Sequence, residues 1–299
     1  MTRSRVSRRW LLAAGGILAV GACAPTTAGP TPAPTPKPGA IGAQAPNKGD
    51  WTPIIPSSDL AVGPNRFLYA VLDDRNRPIL DAKIHMRFFD LAKADAPPAS
   101  ETDAVFRGQG LGTKGVYVAR TTFPTAGAWG VEATIDRPDG ASKTLRTRFE
   151  VSQQSKTPAI GAPAPATKQA LMAGAPDPRL ICTNVPPCSY HDVTVADALQ
   201  RKKPILLLFA TPGYCTSATC GPDLQTVQSL EPDFKGKVTF IHHEIYQDPN
   251  AQTPLPGVVE WRLPSEPWVF MIKSDGTIGD KFEGGLTRDE LAEALARFV

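Results

Sequence analysis

Apolar residues between 51 and 152 recur with a period of two. In Ala82–Phe88 the side chains of Ile84, Met86 and Phe88 fall on one face, and charged or polar residues occupy the other. This alternation is typical of a half-buried β-strand. Several such short stretches are separated by Gly- and Pro-rich turns, a pattern that favours an antiparallel sandwich. We therefore expect an all-β antiparallel sandwich in this part of the chain.

Helix and strand signals alternate in the last part of the chain, 179–299. Pro204–Phe209 and Trp268–Ile272 are continuous apolar stretches and predict strands buried on both faces. Thr194 is placed to cap a short helix, and Thr287–Glu290 matches a capping box ahead of a last helix. This order predicts an α/β domain.

Proline-rich stretches divide the chain, because such segments are semi-extended and form no core. The predicted segments are a signal peptide at 1–22, a linker at 23–50, the β-sandwich at 51–152, a second linker at 153–178 and the α/β domain at 179–299.

The N-terminal residues have the features of an export signal. Four arginines precede thirteen uncharged residues, Trp10 to Ala22, which are too few for a membrane span of about 20 residues. Val20–Cys23 resembles a bacterial lipobox, which implies lipidation of Cys23 and anchoring to the extracytoplasmic face of the cell membrane. Ser7–Leu12 resembles a twin-arginine signal, and an ordinary Sec signal remains the alternative.

The charge of the chain gives no sign of a nucleic-acid partner. The formal net charge of +3 includes four arginines and no acidic residue ahead of Cys23, so the chain from Cys23 onward carries −1. No cluster of lysine and arginine marks a polyanion-binding surface elsewhere.

Two cysteines follow the first buried strand of the α/β part. Cys215 and Cys220 lie between that strand and a helix expected to open at Pro222. A helix N-terminus favours the reactive thiolate. Residues five apart in a continuous helix rise about 7.5 Å, beyond the roughly 7 Å Cα separation that a disulfide tolerates. Gly221 before Pro222 favours a loop between the cysteines, which permits a redox disulfide.

Two segments carry a resemblance to the thioredoxin superfamily across 179–299: the strand and loop PILLLFATPGYC, and Ser265–Trp268. The resemblance implies a thioredoxin-like α/β domain that exchanges thiols and disulfides with protein clients. It further implies that Cys215 attacks, Cys220 resolves, and Pro267 is a cis-proline opposite the cysteines. The Cys-x4-Cys spacing departs from the Cys-x2-Cys of thioredoxins.

Copper(I) delivery is one alternative, because soft thiolates select this ion and copper-assembly proteins of the Sco type share the superfamily. Its ligands would be Cys215 and Cys220 with His242 or His243, and the same donors suit zinc. The sequence otherwise predicts no cofactor, so copper enters only through this alternative.

A peroxidase is the second alternative, because TPG-x-CTSATCG resembles one-chain peroxiredoxins. Thr211 lies four residues before Cys215 where that family has three, and Pro267 stands where it has an arginine. Cys220–Asp223 also resembles a CGPC motif without its last cysteine, and on that alignment Cys220 would attack. A structural platform with both cysteine pairs bonded is a third alternative.

Cys182 and Cys188 flank Thr-Asn-Val-Pro-Pro and are predicted to form a structural disulfide, because an exported chain meets an oxidising compartment. A relay pair that exchanges electrons with Cys215 and Cys220 remains open. His191 follows closely, but its loop position alone gives it no role.

Gly115–Val118 and Gly127–Val131 resemble strands of YtkA-like extracytoplasmic sandwiches, some of them associated with copper handling. The resemblance implies a binding or spacing module. His85 and Met86 point to opposite faces of one predicted strand, so they do not form a copper site by themselves.

Overall fold

The computed structural model describes residues 50–111, 114–215, 217, 219–248 and 253–299. The expected signal peptide, the lipidation site Cys23 and nearly all of the first linker lie outside the described residues. Within the described ranges, none of the helices has the length and apolar character needed to cross a bilayer.

Seven strands form the first sheet, and every neighbouring pair is antiparallel. The strands are β1 (Thr52–Ile54), β2 (Gly63–Leu72), β3 (Lys83–Asp90), β4 (Ser100–Arg107), β5 (Val116–Phe123), β6 (Gly127–Asp136) and β7 (Ser142–Val151). Their order in the sheet is β1-β2-β5-β4-β3-β6-β7.

The alternating pattern of β3 is confirmed. Ile84, Met86 and Phe88 are buried, whereas Lys83 and His85 on the opposite face are exposed. The buried face joins an aromatic core in which rings meet at tilted or edge-on angles, the geometry that aromatic pairs prefer.

The first sheet curves until its two edges approach each other. The backbone N–H of Val62 donates to the Ser152 carbonyl at 3.0 Å, and the N–H of Ser152 donates to the Leu60 carbonyl at 2.9 Å. These bonds join the end of β7 to the segment between β1 and β2. The predicted two-sheet sandwich is therefore wrong: one nearly closed, barrel-like sheet wraps around a single core.

The second sheet has four strands, in the order β13-β12-β8-β9. The elements of this part are α1 (Val195–Gln200), β8 (Ile205–Phe209), α2 (Cys220–Phe234), β9 (Thr239–His243), β10 (Tyr246–Asp248), β11 (Thr253–Pro254), α3 (Pro256–Glu260), β12 (Trp268–Ile272), β13 (Ile278–Glu283) and α4 (Arg288–Leu295). A short 3-10 turn, Pro178–Leu180, precedes them, and β10 pairs with β11.

Both faces of β8 and β12 are buried, which explains their continuous apolar sequences. Leu206 and Leu208 pack with α2 and α4 on one face, and Leu207 and Phe209 pack with α1 and α3 on the other. The loop after β8 therefore starts from a rigid support.

The predicted fold class, a sandwich followed by an α/β thioredoxin-like domain, is wrong. Strands make up 36% of the structure and helices 15%. Of the four helices in the described ranges, α1 and α3 span only six and five residues. The second sheet contains one parallel pair, β8 with β9, and its other pairings are antiparallel. The structure contains more strand than helix, because several segments with helix signals in the sequence form only short helices.

The two predicted helix caps have different outcomes. Thr194 caps α1 as expected, since its Oγ1 accepts from the Asp197 N–H at 3.0 Å. Thr287 precedes α4 but makes no capping hydrogen bond. Its predicted capping-box partner, Glu290, pairs instead with Arg66 of β2.

Arg66 joins the barrel-like sheet to the last part of the chain. Its Nε and Nη2 donate to the two carboxylate oxygens of Glu290 at 2.8 Å each, and Nη1 donates to the Glu283 carbonyl at 2.7 Å. Both side chains of the pair are only 4% exposed. Burial alone would raise the pKa of Glu290, but the charge and hydrogen bonds of Arg66 hold that pKa below its ordinary value. A fork-to-fork pair in this setting fixes orientation as well as charge.

We expect Arg66→Ala to lower the free energy of unfolding by about 3 kcal/mol, the lower end for a broken buried pair, because it removes the bidentate partner of the Glu290 carboxylate and leaves Arg120 at 3.5 Å. Arg148→Ala is the matched control, since Arg148 pairs with Glu150 at 52% and 64% exposure and such pairs contribute about 0–1 kcal/mol. Urea unfolding of both variants measures the difference. Equal losses in the two variants would contradict a stabilising role for the buried pair.

Candidate functional site

Cys215 and Cys220 occupy different environments at the start of α2. Cys220 is the first residue of α2, so the helix begins two residues before the predicted start at Pro222. The Cys220 N–H donates to Cys215 Sγ at 3.2 Å, and Ser217 Oγ lies 3.2 Å from the same sulfur. Cys215 is partly exposed, whereas Cys220 is buried. The accessible sulfur of the pair is therefore that of Cys215.

The contacts around Cys215 favour its thiolate. The Cys220 thiol has the largest effect, and together with Ser217 and the N–H groups of Thr219 and Cys220 it outweighs burial and lowers the pKa of Cys215 to about 5. The same contact between the sulfurs, with burial, raises the pKa of Cys220. At neutral pH the pair consists of a thiolate near the surface and a thiol beneath it.

Pro267 directly precedes β12, at the end of the second sheet where the cysteine loop leaves β8. Trp268, the first residue of β12, pairs with Phe209, the last residue of β8. The Glu266–Pro267 peptide bond is cis. A carboxylate oxygen of Glu266 and the sulfurs of Cys215 and Cys220 all lie within 4.8 Å of one another.

An open groove adjoins the pair. Its volume is about 510 Å³, and its walls include Ser217 and Glu266. Tyr246 borders it, and burial and a hydrogen bond with Glu266 raise the pKa of Tyr246 to about 12. The remaining walls are largely apolar, formed by Ile245, Pro254, Val258, Leu263, Pro264 and Ser265.

Asp223 is a buried acid in the first turn of α2, one helical turn beyond Cys220 and on the same face. Burial raises its pKa to about 7, although the Leu286 N–H, which donates to Oδ1 at 3.0 Å, opposes this shift. Its second oxygen, Oδ2, has no hydrogen-bond partner within the described part of the chain. This carboxyl can therefore change its charge near neutral pH.

Four further residues meet beside this loop and form what we call the buried cluster: Cys182, Cys188, His191 and His242. The first three lie on the segment before α1, and His242 lies on β9. The backbone N–H of His242 donates to the Tyr190 carbonyl at 3.0 Å, which places the segment before α1 alongside β9. One ligand atom from each of the four residues lies within 4.8 Å of the others.

The distances within the buried cluster are short. The sulfurs of Cys182 and Cys188 are 3.8 Å apart, and neither residue forms a disulfide. Cys188 Sγ lies 3.2 Å from His191 Nε2 and 3.3 Å from His242 Nδ1. The disulfide predicted for the two cysteines stays a prediction. The Cys/His group itself is a candidate metal-binding cluster, and Cys215, Cys220 and Glu266 form another.

Hydrogen bonds shift charge within the buried cluster. The Cys188 thiol has the largest effect on Cys182 and, with the two imidazoles, lowers the Cys182 pKa despite burial. Burial opposes the charged form of His242, but Cys182 and Glu244 raise its pKa above the ordinary value. A thiolate and an imidazole therefore stabilise each other in this cluster.

The two histidines considered for a copper site at Cys215 and Cys220 point elsewhere. His242 turns its Nδ1 towards the buried cluster. His243, on the opposite face of β9, stacks on Phe209 with ring centroids 5.0 Å apart. Burial lowers the pKa of His243 to about 4. Of the predicted copper ligands, the structure brings only the two cysteines together.

Three residues of these sites carried no clear signal in the sequence. Glu266 lies in the segment Ser265–Trp268, which was considered for Pro267, and Asp223 lies in Cys220–Asp223, which was considered for Cys220. His191 was given no role, because its loop position alone supported none. The available signal was that Cys182, Cys188 and His191, all of them metal-ligating residue types, fall within ten residues of one another. Its fourth member, His242, is distant in sequence and joins only through β9.

The chemistry of the site is that of two cysteine pairs, one beside a groove and one enclosed with two imidazoles. Comparison with known proteins found no family model and no curated protein that matches the chain.

Proposed function

We propose that the chain exchanges thiols and disulfides with protein clients, and that Cys215 attacks while Cys220 resolves. We call these two residues the exchange pair. The observation that carries the proposal is the asymmetry of the pair: a partly exposed sulfur with a pKa of about 5 contacts a buried thiol. The thiolate is the nucleophile in exchange, and lowered thiol pKa values mark reactive cysteines.

The proposed reaction has two steps. The Cys215 thiolate attacks a client disulfide, forms a mixed disulfide and releases one client thiolate. The Cys220 sulfur, after losing its proton, attacks Cys215 Sγ and releases the second client thiolate. The exchange pair is thereby oxidised to a disulfide and the client is reduced by two electrons. The reverse sequence oxidises a client dithiol, and the reduction potentials of the partners set the direction.

Asp223 supports the second step as a proton acceptor. Cys220 must lose its proton before it attacks, and the contact with Cys215, together with burial, raises the pKa of this thiol. The Asp223 carboxyl lies on the same face of α2, and its pKa of about 7 suits proton transfer near neutral pH. In this proposal Asp223 acts through Cys220 and does not touch the client.

The groove beside Glu266 supports a polypeptide client. Its apolar walls and its volume of about 510 Å³ suit an extended chain laid next to Cys215. The export signal and lipobox pattern favour a setting at the extracytoplasmic face of the membrane, where disulfides persist.

Copper(I) delivery by the exchange pair has less support. His242 and His243 make their contacts away from it, and the donor grouped with the two sulfurs among the described residues is the carboxylate of Glu266. Carboxylate oxygen is a hard ligand that suits copper(I) less well than sulfur or imidazole nitrogen.

We expect Cys220→Ser to accumulate a mixed disulfide between Cys215 and a client, because the resolving sulfur is gone while the attacking one remains. Non-reducing electrophoresis and mass spectrometry of the trapped complex measure this. Cys215→Ser is the control and is expected to trap nothing. If Cys220→Ser accumulates no mixed disulfide with any reduced or oxidised partner, resolution by Cys220 is wrong.

We expect the alkylation rate of Cys215 to be half-maximal near pH 5 and to reach a plateau above it, since the thiolate dominates above the pKa. Cys220→Ala removes the largest cause of the lowered pKa, so the midpoint should rise towards the ordinary value of about 8.5. Fragment-ion mass spectrometry after brief iodoacetamide treatment assigns the modification to Cys215, since the same tryptic peptide also contains Cys220. A wild-type midpoint near 8.5 would contradict an activated thiolate.

A further inference from the structure

We propose that the buried cluster binds one zinc ion through Cys182, Cys188, His191 and His242. The ion would be structural, because four side chains complete a tetrahedral shell and leave no position for a substrate. This site is distinct from the exchange pair and adds a property that exchange chemistry does not require.

The spacing of the donor atoms fits this ion. Zinc binds sulfur at about 2.3 Å and imidazole nitrogen at about 2.0–2.1 Å, so a tetrahedral site places two sulfurs about 3.8 Å apart and sulfur and nitrogen about 3.5 Å apart. The Cys182–Cys188 sulfur distance is 3.8 Å. The His242 Nδ1 atom lies 3.3 Å and 3.8 Å from the two sulfurs, and His191 Nε2 lies 3.2 Å from that of Cys188.

Hydrogen bonds prepare the ligand atoms. His242 Nε2 lies 2.9 Å from the Ala210 carbonyl, which can only accept, so Nε2 carries the proton and Nδ1 presents its lone pair to the sulfurs. A backbone carbonyl in this role is the usual outer partner of a metal-bound histidine. The Cys188 N–H also donates to Cys182 Sγ at 3.4 Å. That bond stabilises the charge of a thiolate ligand.

The donor set distinguishes zinc from the alternatives. All four residues are buried, and tetrahedral coordination by two sulfurs and two nitrogens is typical of zinc. A disulfide requires the sulfurs to be about 2.05 Å apart, far closer than they are, and would leave both imidazoles without a thiolate partner. The geometry therefore favours an ion between the four atoms over a bond between two of them.

A cavity of about 400 Å³ gives the ion a route to the cluster. His191 and His242 form part of its wall, with Glu244 beside them. Both cysteines bind as thiolates and both histidines in their neutral form, so binding releases protons.

A zinc ion here would also hold the cysteine loop of the exchange pair. Glu244 accepts from the N–H and hydroxyl of Thr183, next to Cys182, at 2.9 and 2.8 Å. The Gly213 N–H, in the loop before Cys215, donates to Thr183 Oγ1 at 3.0 Å. The ion would fix the segment that contains Cys182 and Cys188, and it would prevent these two cysteines from exchanging with the exchange pair or its clients.

The test is the metal content and the cobalt spectrum of the full chain. We expect about one zinc per chain after purification without chelators. Cobalt(II) in its place should give the intense ligand-field absorption of a four-coordinate site and a thiolate-to-cobalt charge-transfer band. Both readouts use the wild-type protein, so they do not depend on how any variant folds.

Variants locate the ion. His191→Ala should lose the zinc, whereas His191→Cys should keep it, because three cysteines and one histidine also bind zinc. His243→Asn, one residue beyond His242, and Cys220→Ser are the matched controls and should retain one zinc per chain, with circular dichroism to verify folding.

Three outcomes would overturn the proposal. The first is a Cys182–Cys188 disulfide in the non-reduced peptide map, and the second is a cobalt spectrum without a thiolate band. The third is a purified chain that carries copper and no zinc.

Discussion

The contact between the Cys220 thiol and Cys215 Sγ is the interaction on which the proposed chemistry depends, because it does most to favour the Cys215 thiolate. The contact exists because α2 begins at Cys220 and directs this residue, with its backbone N–H 3.2 Å from Cys215 Sγ, at the loop leaving β8. The helix is held in that direction by Leu224, Val227 and Leu230, which pack against the second sheet. The core of the protein therefore determines the charge of a sulfur at its surface.

The exchange pair and the buried cluster share the exit of β8. Ala210, the residue after β8, accepts from His242 of the cluster, and Gly213 is bound by Thr183. One pair of cysteines lies beside a groove, and the other is enclosed with two imidazoles. Neighbouring sulfurs can thus serve different chemistry, because burial and partners set their reactivity.

The sequence predicts those features that local pattern controls. The two faces of β3, the Thr194 cap and the position of Cys215 ahead of a helix all follow from residues close together in the chain. The features it missed depend on distant partners. Glu290 leaves its expected cap for Arg66, 224 residues away, and backbone bonds at Ser152 curve the predicted sandwich into one barrel-like sheet. The same limit applies to the buried cluster, which needs β9 to bring in its last ligand.

The reduction potential of the Cys215–Cys220 pair tests the central claim most directly. The full chain would be equilibrated with glutathione or dithiothreitol buffers, and the peptide containing the pair followed by mass spectrometry. An exchange pair is expected between about −120 and −270 mV, the range of known exchange proteins. A potential below about −300 mV would indicate a structural disulfide and contradict the account.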